Sequence, residues 1–272
     1  MIIGIPRESL AGETRVAATP ATVGQLIKLG YSVVVESGAG DLSSFADAAY
    51  VEAGADIGSP WAADIVLKVN APDDAEIAAL KDGATLVSLI SPGLKPELVE
   101  KLATRPITVL AMDAVPRISR AQSLDVLSSM ANIAGYRAVL LATQFYPRFM
   151  PMLMTAAGTV KAAKVLVLGA GVAGLQAIAT AKRLGAVVEA FDVRPATKEQ
   201  VESLGGKFVE VPMTDEEKAA NNGVYAQEMS DDYKRRQSEL LSKHAKAADI
   251  IITTALIPGK KAPTLLAADI VA

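Results

Sequence analysis

The sequence predicts an α/β fold built from two doubly wound parallel-sheet domains. Short apolar runs typical of buried strands alternate with amphipathic segments of helical period, which is the rhythm of βαβ units. The chain has 272 residues, enough for two ordinary domains. Hydrophobic residues make up 51% of it and aromatic residues only 4%, so we expect cores of Ala, Val, Leu and Ile, the usual filling of parallel sheets.

The first domain is predicted over residues 1–140. Its strands are predicted at Ile2–Ile5, Ser32–Glu36, Ile65–Val69, Thr85–Leu89 and Ile107–Met112. Helices are predicted around 21–29, 45–53, 74–80 and 96–103, followed by a long connecting helix at about Ser123–Gln144. Pro147 and Pro151 break the helical pattern, and residues 141–272 form the second domain.

A glycine-rich turn distinguishes the second domain. The strand Val165–Leu168 leads into Gly169, Gly171 and Gly174, and a helical segment and the strand Val187–Phe191 follow. Gly169 permits a tight turn, Gly171 lets backbone N–H groups approach a pyrophosphate, and Gly174 lets the helix pack against the strand. This order predicts a Rossmann dinucleotide-binding domain with the phosphates at the positive end of the helix. Further strands are predicted at Lys207–Val211 and Ile250–Thr253, and a long loop over 213–232.

The acidic residue after the second strand indicates which nucleotide binds. Asp192 lies about 20 residues past the glycines, where a carboxylate accepts the hydroxyls of an adenosine ribose and repels a 2′-phosphate. NAD(H) is therefore favoured over NADP(H). Arg194 weakens this argument, because a nearby arginine can accommodate the 2′-phosphate.

Charge and composition narrow the classes of partner. The formal net charge is −3 without a basic run, so neither nucleic acid nor an anionic membrane is an expected partner. The absence of cysteine excludes disulfides and thiol catalysis, and no metal site is predicted. The opening residues Met1-Ile-Ile-Gly-Ile-Pro already form a predicted strand, so no targeting peptide is expected. A soluble, intracellular protein is predicted.

Polar side chains are concentrated between residues 116 and 136, where the first domain meets the long helix. This position favours an interdomain cleft, the usual ligand site of two-domain folds. The alternative is an ordinary helix start, with Ser123 as the N-cap and Arg117 paired with Asp125 on the surface. The residues alone slightly favour this second interpretation.

Several motifs along the chain resemble those of one known family. They are Gly4-Ile-Pro-Arg-Glu, Val34-Glu-Ser-Gly-Ala-Gly40, Leu67-Lys-Val-Asn-Ala-Pro72, Pro116-Arg-Ile-Ser-Arg-Ala-Gln-Ser-Leu-Asp125 and Thr253-Thr-Ala-Leu-Ile-Pro-Gly259. With them the chain resembles the NAD(H)-binding domain of the proton-translocating NAD(P) transhydrogenases over nearly all its length. The resemblance implies that a hydride passes directly from NADH on this domain to NADP⁺ on a separate domain. It also implies that proton movement through a membrane domain is coupled to this exchange.

The resemblance assigns roles to individual residues. Arg117, Gln122, Asp125 and Ser128 would hold and orient the nicotinamide. Tyr225, in a loop at 222–230, would close over the bound nucleotide. The remaining contacts to NAD(H) would come from the glycine turn and the ends of neighbouring strands: Gly169, Gly171, Val172, Ala173, Gly174, Asp192, Val193, Arg194, Thr254, Ala255 and Pro258.

The resemblance also implies partners and a location. The partners are the NADP(H)-binding domain, the membrane domain and a second copy of this chain, since family members dimerise. The location is the cytoplasmic face of the bacterial inner membrane, bound peripherally and without direct insertion. The family's domain continues beyond the point reached by residue 272, so we expect the nucleotide sheet of this chain to be incomplete.

Two other functions remain open. Alanine dehydrogenase has the same two-domain pattern, but its chemistry needs proton transfer and uses a histidine after the fourth strand of the first domain. This sequence reads Leu86-Val-Ser-Leu-Ile-Ser-Pro92 there, and its one histidine, His244, is expected on the surface near a helix end. Arg15 and Lys68 match positions that bind the carboxylate substrate in that enzyme, and here they are either structural or line a cleft. The third possibility is an NAD-binding module that is inactive on its own.

Overall fold

The computed structural model describes residues 1–116, 118–212, 231–255, 262, 264–266 and 268–271, apart from the side chains of Asp231, Asp269 and Val271. The chain divides into two compact units, Met1–Val126 and Leu127–Ala272. Each unit contains a parallel sheet, so the predicted α/β class is confirmed.

The first unit contains six strands and four α-helices in alternating order. The strands are β1 (Ile2–Ile5), β2 (Ser32–Val35), β3 (Asp56–Ile57), β4 (Ile65–Leu67), β5 (Thr85–Ser88) and β6 (Thr108–Ala111), and the helices are α1 (Pro20–Lys28), α2 (Asp47–Glu52), α3 (Asp74–Ala79) and α4 (Pro96–Ala103). The sheet is parallel, with the order β3-β2-β1-β4-β5-β6. Its order reverses between β1 and β4, the switch point at which doubly wound sheets commonly bind ligands.

Local sequence explains where the helices of this unit begin. Thr19 caps α1 through a reciprocal pair of hydrogen bonds with Thr22, and Pro20 occupies the first helical position, where its missing N–H costs nothing. Behind α1 and α2 the core is apolar, with Val23 and Tyr50 fully buried. The Tyr50 hydroxyl satisfies its polar tip by donating to the Ala18 carbonyl at 2.9 Å.

The second unit is built around a four-stranded parallel sheet in its described residues. Its elements are α5 (Val126–Phe145), β7 (Leu153–Thr155), β8 (Gly158–Val160), β9 (Lys164–Leu168), α6 (Val172–Arg183), β10 (Val187–Phe191), α7 (Thr197–Ser203), β11 (Lys207–Phe208), α8 (Asp231–Ala247), β12 (Ile250–Thr253) and α9 (Ala268–Val271). The sheet order is β11-β10-β9-β12, and β7 pairs with β8 in a separate antiparallel hairpin.

Strand β9 is buried on both faces, which makes this sheet doubly wound. Val165 and Val167 pack into one core with Ile178 of α6, while Leu166 and Leu168 pack into a second core with residues of α8 such as Leu241. Successive side chains of a strand point to opposite faces, so an uninterrupted apolar run is what a central parallel strand requires.

The structure differs from the predicted elements at several places. The long helix begins at Val126 because residues Ser119–Leu124 form a 3₁₀ helix instead. Its Val139 is buried in a core of the second unit, although the predicted boundary at residue 140 groups this helix with the first domain. The predicted strand Lys207–Val211 pairs only as far as Phe208, and neither β3 nor the β7–β8 hairpin was predicted.

The predicted loop at 213–232 lies almost wholly outside the described residues. Within the parts of the chain that the structure describes, no helix combines the length and apolar character needed to cross a membrane.

Candidate functional site

The glycine turn of the second unit connects β9 to α6. Gly169 has a φ of +103°, in the region that favours glycine. A Cβ at Gly174 would collide with the carbonyl oxygen of Gly169, so only glycine at 174 lets α6 begin this close to the strand. A Cβ at Gly171 would meet no described atom within 4 Å. The backbone at Gly171 therefore borders open space that a ligand can enter.

Helix α6 begins beside this open space. Gly171 is its N-cap, no side chain caps it, and its first turn holds no acidic residue. The N–H groups of Val172, Ala173 and Gly174 belong to the first turn, where a helix supplies no internal acceptors. The positive end of the helix dipole adds to these donors, so this end of a 12-residue helix suits a phosphate group.

The carboxylate of Asp192 joins the end of β10 to the glycine turn. Oδ2 accepts a hydrogen bond from the Ala170 N–H at 2.7 Å, and Oδ1 accepts one from the Arg194 N–H at 2.8 Å. The Arg194 side chain donates from Nε to Oδ1 at 3.0 Å and from Nη2 to Oδ2 at 3.1 Å. Burial opposes ionisation, but these hydrogen bonds outweigh it and hold the pKa of Asp192 below its ordinary value. The structure thus places a charged acceptor beside the turn.

The end of β12 completes the surroundings of the turn. The Thr254 hydroxyl donates to the Gly169 carbonyl at 2.9 Å. A Cβ at Gly169 would lie 2.7 Å from Thr254 Oγ1 and 3.0 Å from the Ala255 nitrogen. Thr254 and Ala255, both predicted to contact the nucleotide, therefore lie against the glycine turn, because β12 pairs in parallel with β9.

A shallow pocket adjoins Asp192 on the side of β11. Its apolar lining comes from Phe191, Val193, Pro195, Phe208 and Tyr233. Val193 is 41% exposed although it follows a buried strand. An apolar recess beside a charged acceptor suits a flat, partly apolar group attached to a polar one.

The residues predicted to orient the nicotinamide are only partly described. Gln122 is exposed on the 3₁₀ helix, and its carbonyl accepts the Asp125 N–H at 3.2 Å, so these two residues share one turn. Ser128 is half-buried in the first turn of α5. Three predicted site residues, Arg117, Tyr225 and Pro258, lie outside the described residues.

A buried charge cluster fills the switch point of the first unit. The Lys68 ammonium lies 2.8 Å from Oε1 of Glu76 and 3.6 Å from Oε2 of Glu8, and its side chain has no exposed surface. Glu8 also accepts the N–H groups of Val69 and Asn70, at 2.7 and 3.1 Å. Lys68 is therefore a structural residue here, the first of the two roles that its sequence position allows.

Arg15 is held in the same way, by a carboxylate two residues earlier. Glu13 accepts from Nε and Nη2 of Arg15 at 2.8 and 2.6 Å, and from the Asn70 side chain at 2.8 Å. The hydrogen bonds from Arg15 lower the pKa of Glu13 to about 2. Sequence reasoning missed Glu8 and Glu13 as partners, although both lie in the segment after β1, where side chains reach the switch point.

His244 differs from its predicted surface role. It lies in the last turn of α8, its side chain is 20% exposed, and Nδ1 is 2.6 Å from Oε2 of Glu189 on β10. It therefore pins α8 to the sheet. This histidine belongs to the second unit, and the switch point of the first unit has no histidine.

Comparison with known proteins places the chain in a family. The N-terminal domain of alanine dehydrogenase/PNT matches residues 4–134, and the C-terminal domain of alanine dehydrogenase/PNT matches residues 138–272. The chain belongs to the alanine dehydrogenase/PNT family. Both domains of the family are thus represented.

Within the alanine dehydrogenase/PNT family, the chain is more similar to transhydrogenases than to dehydrogenases. It is 57% identical to NAD(P) transhydrogenase subunit alpha of Haemophilus influenzae, and all of it spans 53% of that protein. In Rhodospirillum rubrum it is 52% identical to the first portion of NAD(P) transhydrogenase subunit alpha, of which it spans 73%. Identity to the alanine dehydrogenase of Bacillus subtilis is 32%, over 67% of that enzyme. The resemblance seen in the sequence motifs is confirmed.

Solved structures of the alanine dehydrogenase/PNT family give the same ranking. The transhydrogenase of Sinorhizobium meliloti superimposes with a TM-score of 0.87 at 46% identity, over all of this chain and 74% of that one. An L-alanine dehydrogenase superimposes with a TM-score of 0.79 at 29% identity, over all of this chain and 70% of that one. Both comparisons support the doubly wound fold of the two units.

Proposed function

We propose that this chain is the NAD(H)-binding component of a proton-translocating transhydrogenase. The observation that carries the proposal is the combination, in the second unit, of the glycine turn, the uncapped start of α6 and the charged Asp192. These three features offer a place for a pyrophosphate next to an acceptor for ribose hydroxyls. The 50–57% identity to transhydrogenase alpha subunits supports this reaction over others of the family.

The residues around the turn divide the nucleotide between them. The N–H groups of Val172 and Ala173 face the pyrophosphate, since Gly171 leaves the space beside them open. Asp192 receives the adenosine ribose, and the apolar pocket that includes Val193 receives the adenine. Thr254, Ala255 and Pro258 border the path toward the nicotinamide. A carboxylate at the ribose repels a 2′-phosphate, so NAD(H) is the nucleotide bound here.

The proposed reaction needs positioning and no acid or base. A hydride, one proton with two electrons, leaves C4 of NADH and joins C4 of NADP⁺, which yields NAD⁺ and NADPH without release of a proton. The protein must hold the two rings close together, in the right orientation, and exclude water. Arg117, Gln122, Asp125 and Ser128 supply the polar side chains that orient the nicotinamide, and Tyr225 closes over it.

Alanine dehydrogenase activity is the second candidate, since the chain is 32% identical to such enzymes. Reversible deamination of an amino acid requires a proton donor or acceptor at the reacting atoms. Lys68 is fully buried between Glu8 and Glu76, and the sole histidine pairs with Glu189 in the other unit. The described residues therefore favour the transhydrogenase.

The proposed partners follow from the reaction. An NADP(H)-binding domain accepts the hydride, and a membrane domain on the cytoplasmic face of the bacterial inner membrane couples it to proton movement. A second copy of this chain covers the apolar side chains that α5 and the following segment expose, among them Ile133, Tyr136, Phe145 and Met154. Phe145 and Met154 are 81% and 82% exposed, which is unusual for side chains of this size.

Isotope transfer tests the proposed reaction. The chain is mixed with an NADP(H)-binding partner domain, NADP⁺ and NADH deuterated at C4, and the NADPH formed is analysed by mass spectrometry. We expect deuterium in NADPH when both proteins are present and none when either is omitted. Deuterium in alanine, after supply of pyruvate and ammonium to this chain alone, would instead establish the dehydrogenase.

A further inference from the structure

The carboxylate of Asp192 is saturated by donors from its own chain. Oδ1 accepts from the N–H and the Nε of Arg194, and Oδ2 accepts from the Ala170 N–H and the Nη2 of Arg194. A carboxylate offers about four lone-pair positions, so two hydrogen bonds on each oxygen leave none over. The ribose hydroxyls of a nucleotide therefore cannot bind Asp192 until one or more of these donors leaves.

The four donors differ in how easily they can leave. Ala170 is fixed within the glycine turn, and the Arg194 N–H is fixed by the backbone that follows β10. The Arg194 side chain is 42% exposed, whereas the Asp192 side chain is 7% exposed. An exposed guanidinium on a flexible stem can swing into solvent without moving the backbone. The side chain of Arg194 is thus the group that a ligand can displace.

The two bonds that Arg194 would release match the needs of a ribose. Nε occupies Oδ1 at 3.0 Å and Nη2 occupies Oδ2 at 3.1 Å, one side-chain donor on each oxygen. Adjacent hydroxyls of an adenosine ribose also present two donors side by side. Arg194 holds the bidentate geometry that guanidinium and carboxylate groups share.

We propose that Arg194 is an intramolecular stand-in for the adenosine ribose, which the nucleotide must displace from Asp192 on binding. The inference rests on the proposed function, because it takes the second unit to bind NAD(H). Arg194 thereby lowers affinity for the nucleotide and partly neutralises the carboxylate that rejects a 2′-phosphate. It is a specificity-determining residue that acts through Asp192.

The test compares two ligands that differ by one hydroxyl. Binding of ADP and of 2′-deoxy-ADP is measured by calorimetry for the wild type and for Arg194→Met, which keeps the length of the side chain and removes the guanidinium. Arg183→Met is the matched control, because Arg183 is an exposed arginine in the last turn of α6 and its loss changes the net charge equally. Circular dichroism confirms that each variant is folded.

We expect Arg194→Met to bind ADP about 2- to 10-fold more tightly than the wild type, the range of one net hydrogen bond. The preference for ADP over 2′-deoxy-ADP should increase in this variant and stay unchanged in Arg183→Met. The preference for NADH over NADPH should increase as well, since the charge of Asp192 is then uncompensated.

Two outcomes would overturn the inference, and they are distinguishable. If the wild type binds NADH but Arg194→Met weakens ADP binding or leaves the hydroxyl preference unchanged, Arg194 is no competitor and the proposed function stands. If neither protein binds ADP or NADH, the proposed function fails and the inference falls with it. Binding of ADP by the variant alone would support both.

Discussion

The Nζ of Lys68 lies 2.8 Å from Oε1 of Glu76, and no part of the lysine side chain reaches solvent. Glu76 is positioned by the capping box of α3, in which it accepts the Asp73 N–H at 2.9 Å and donates its own N–H to the Asp73 carboxylate at 2.9 Å. Glu8, on the loop after β1, lies on the other side of the ammonium group. One buried cation therefore joins β1, β4 and α3 at the switch point.

Lys68→Met is expected to destabilise the first unit by about 3–5 kcal/mol, because it leaves the carboxylates of Glu8 and Glu76 buried without their cation. Trp61 is the sole tryptophan of the chain, and its ring centre lies 6.0 Å from the Lys68 ammonium, so its fluorescence reports this unit during urea unfolding. Lys101→Met, at an ion pair with side chains 55% and 77% exposed, should cost less than about 1 kcal/mol. Equal losses in both variants would contradict the structural role of Lys68.

The glycine turn offers a pair of substitutions with opposite consequences. Gly174→Ala should destabilise the second unit by about 3 kcal/mol or more, because the new methyl group collides with the backbone of Gly169. Gly171→Ala should leave stability within about 1 kcal/mol of the wild type, because its Cβ meets open space, yet weaken NADH binding by occupying that space. Thermal unfolding by circular dichroism and NADH titration separate the two effects. Unchanged NADH affinity in Gly171→Ala would place the pyrophosphate elsewhere.

The ion pair of Glu13 and Arg15 predicts a pH dependence. The folded pKa of Glu13, about 2, lies below its ordinary value of 4.5, so the pair stabilises the fold above pH 4.5. That contribution is lost as the pH falls from about 4.5 towards about 2. The difference in free energy of unfolding between the wild type and Glu13→Gln should therefore shrink over this window. For Glu97→Gln, at an exposed position, the difference should stay near zero throughout, and a constant difference for Glu13→Gln would refute the assignment.

The exposed apolar side chains of the second unit predict self-association. The wild type should sediment as a dimer, and Phe145→Lys should raise the dimer dissociation constant at least about tenfold, because large exposed aromatic residues dominate such interfaces. Leu29→Lys is the control, since Leu29 is 73% exposed in the first unit, just past α1. A monomeric wild type, or equal effects of both substitutions, would show that this face serves another purpose.

Much of the fold follows from the sequence because apolar runs and turn residues agree. The strand Val187–Phe191 has the predicted bounds, and β9 extends the predicted strand Val165–Leu168 by one residue. The β7–β8 hairpin was not predicted, because its strands have three residues each and Ala156-Ala157 at the turn carries no turn signal. Strand β3, with two residues, is likewise too short to show a period.

The candidate site was predictable in its backbone and less so in its side chains. The spacing of the glycines and Asp192 places the turn and the acidic residue together, because β9 and β10 are adjacent parallel strands. The sequence shows that Arg194 is near but not that it binds both carboxylate oxygens, since that depends on a side-chain rotamer. Glu8 and Glu76 are 68 positions apart, and only the fold brings them to Lys68.

A titration with NADH and NADPH, followed by fluorescence anisotropy of the reduced nucleotide, tests the central claim most directly. The account predicts saturable binding of NADH and at least about tenfold weaker binding of NADPH, because Asp192 repels a 2′-phosphate. Asp192→Asn should narrow this difference, while Glu210→Gln, at an exposed carboxylate in the same unit, should not. Binding of NADPH as tight as that of NADH would contradict the account.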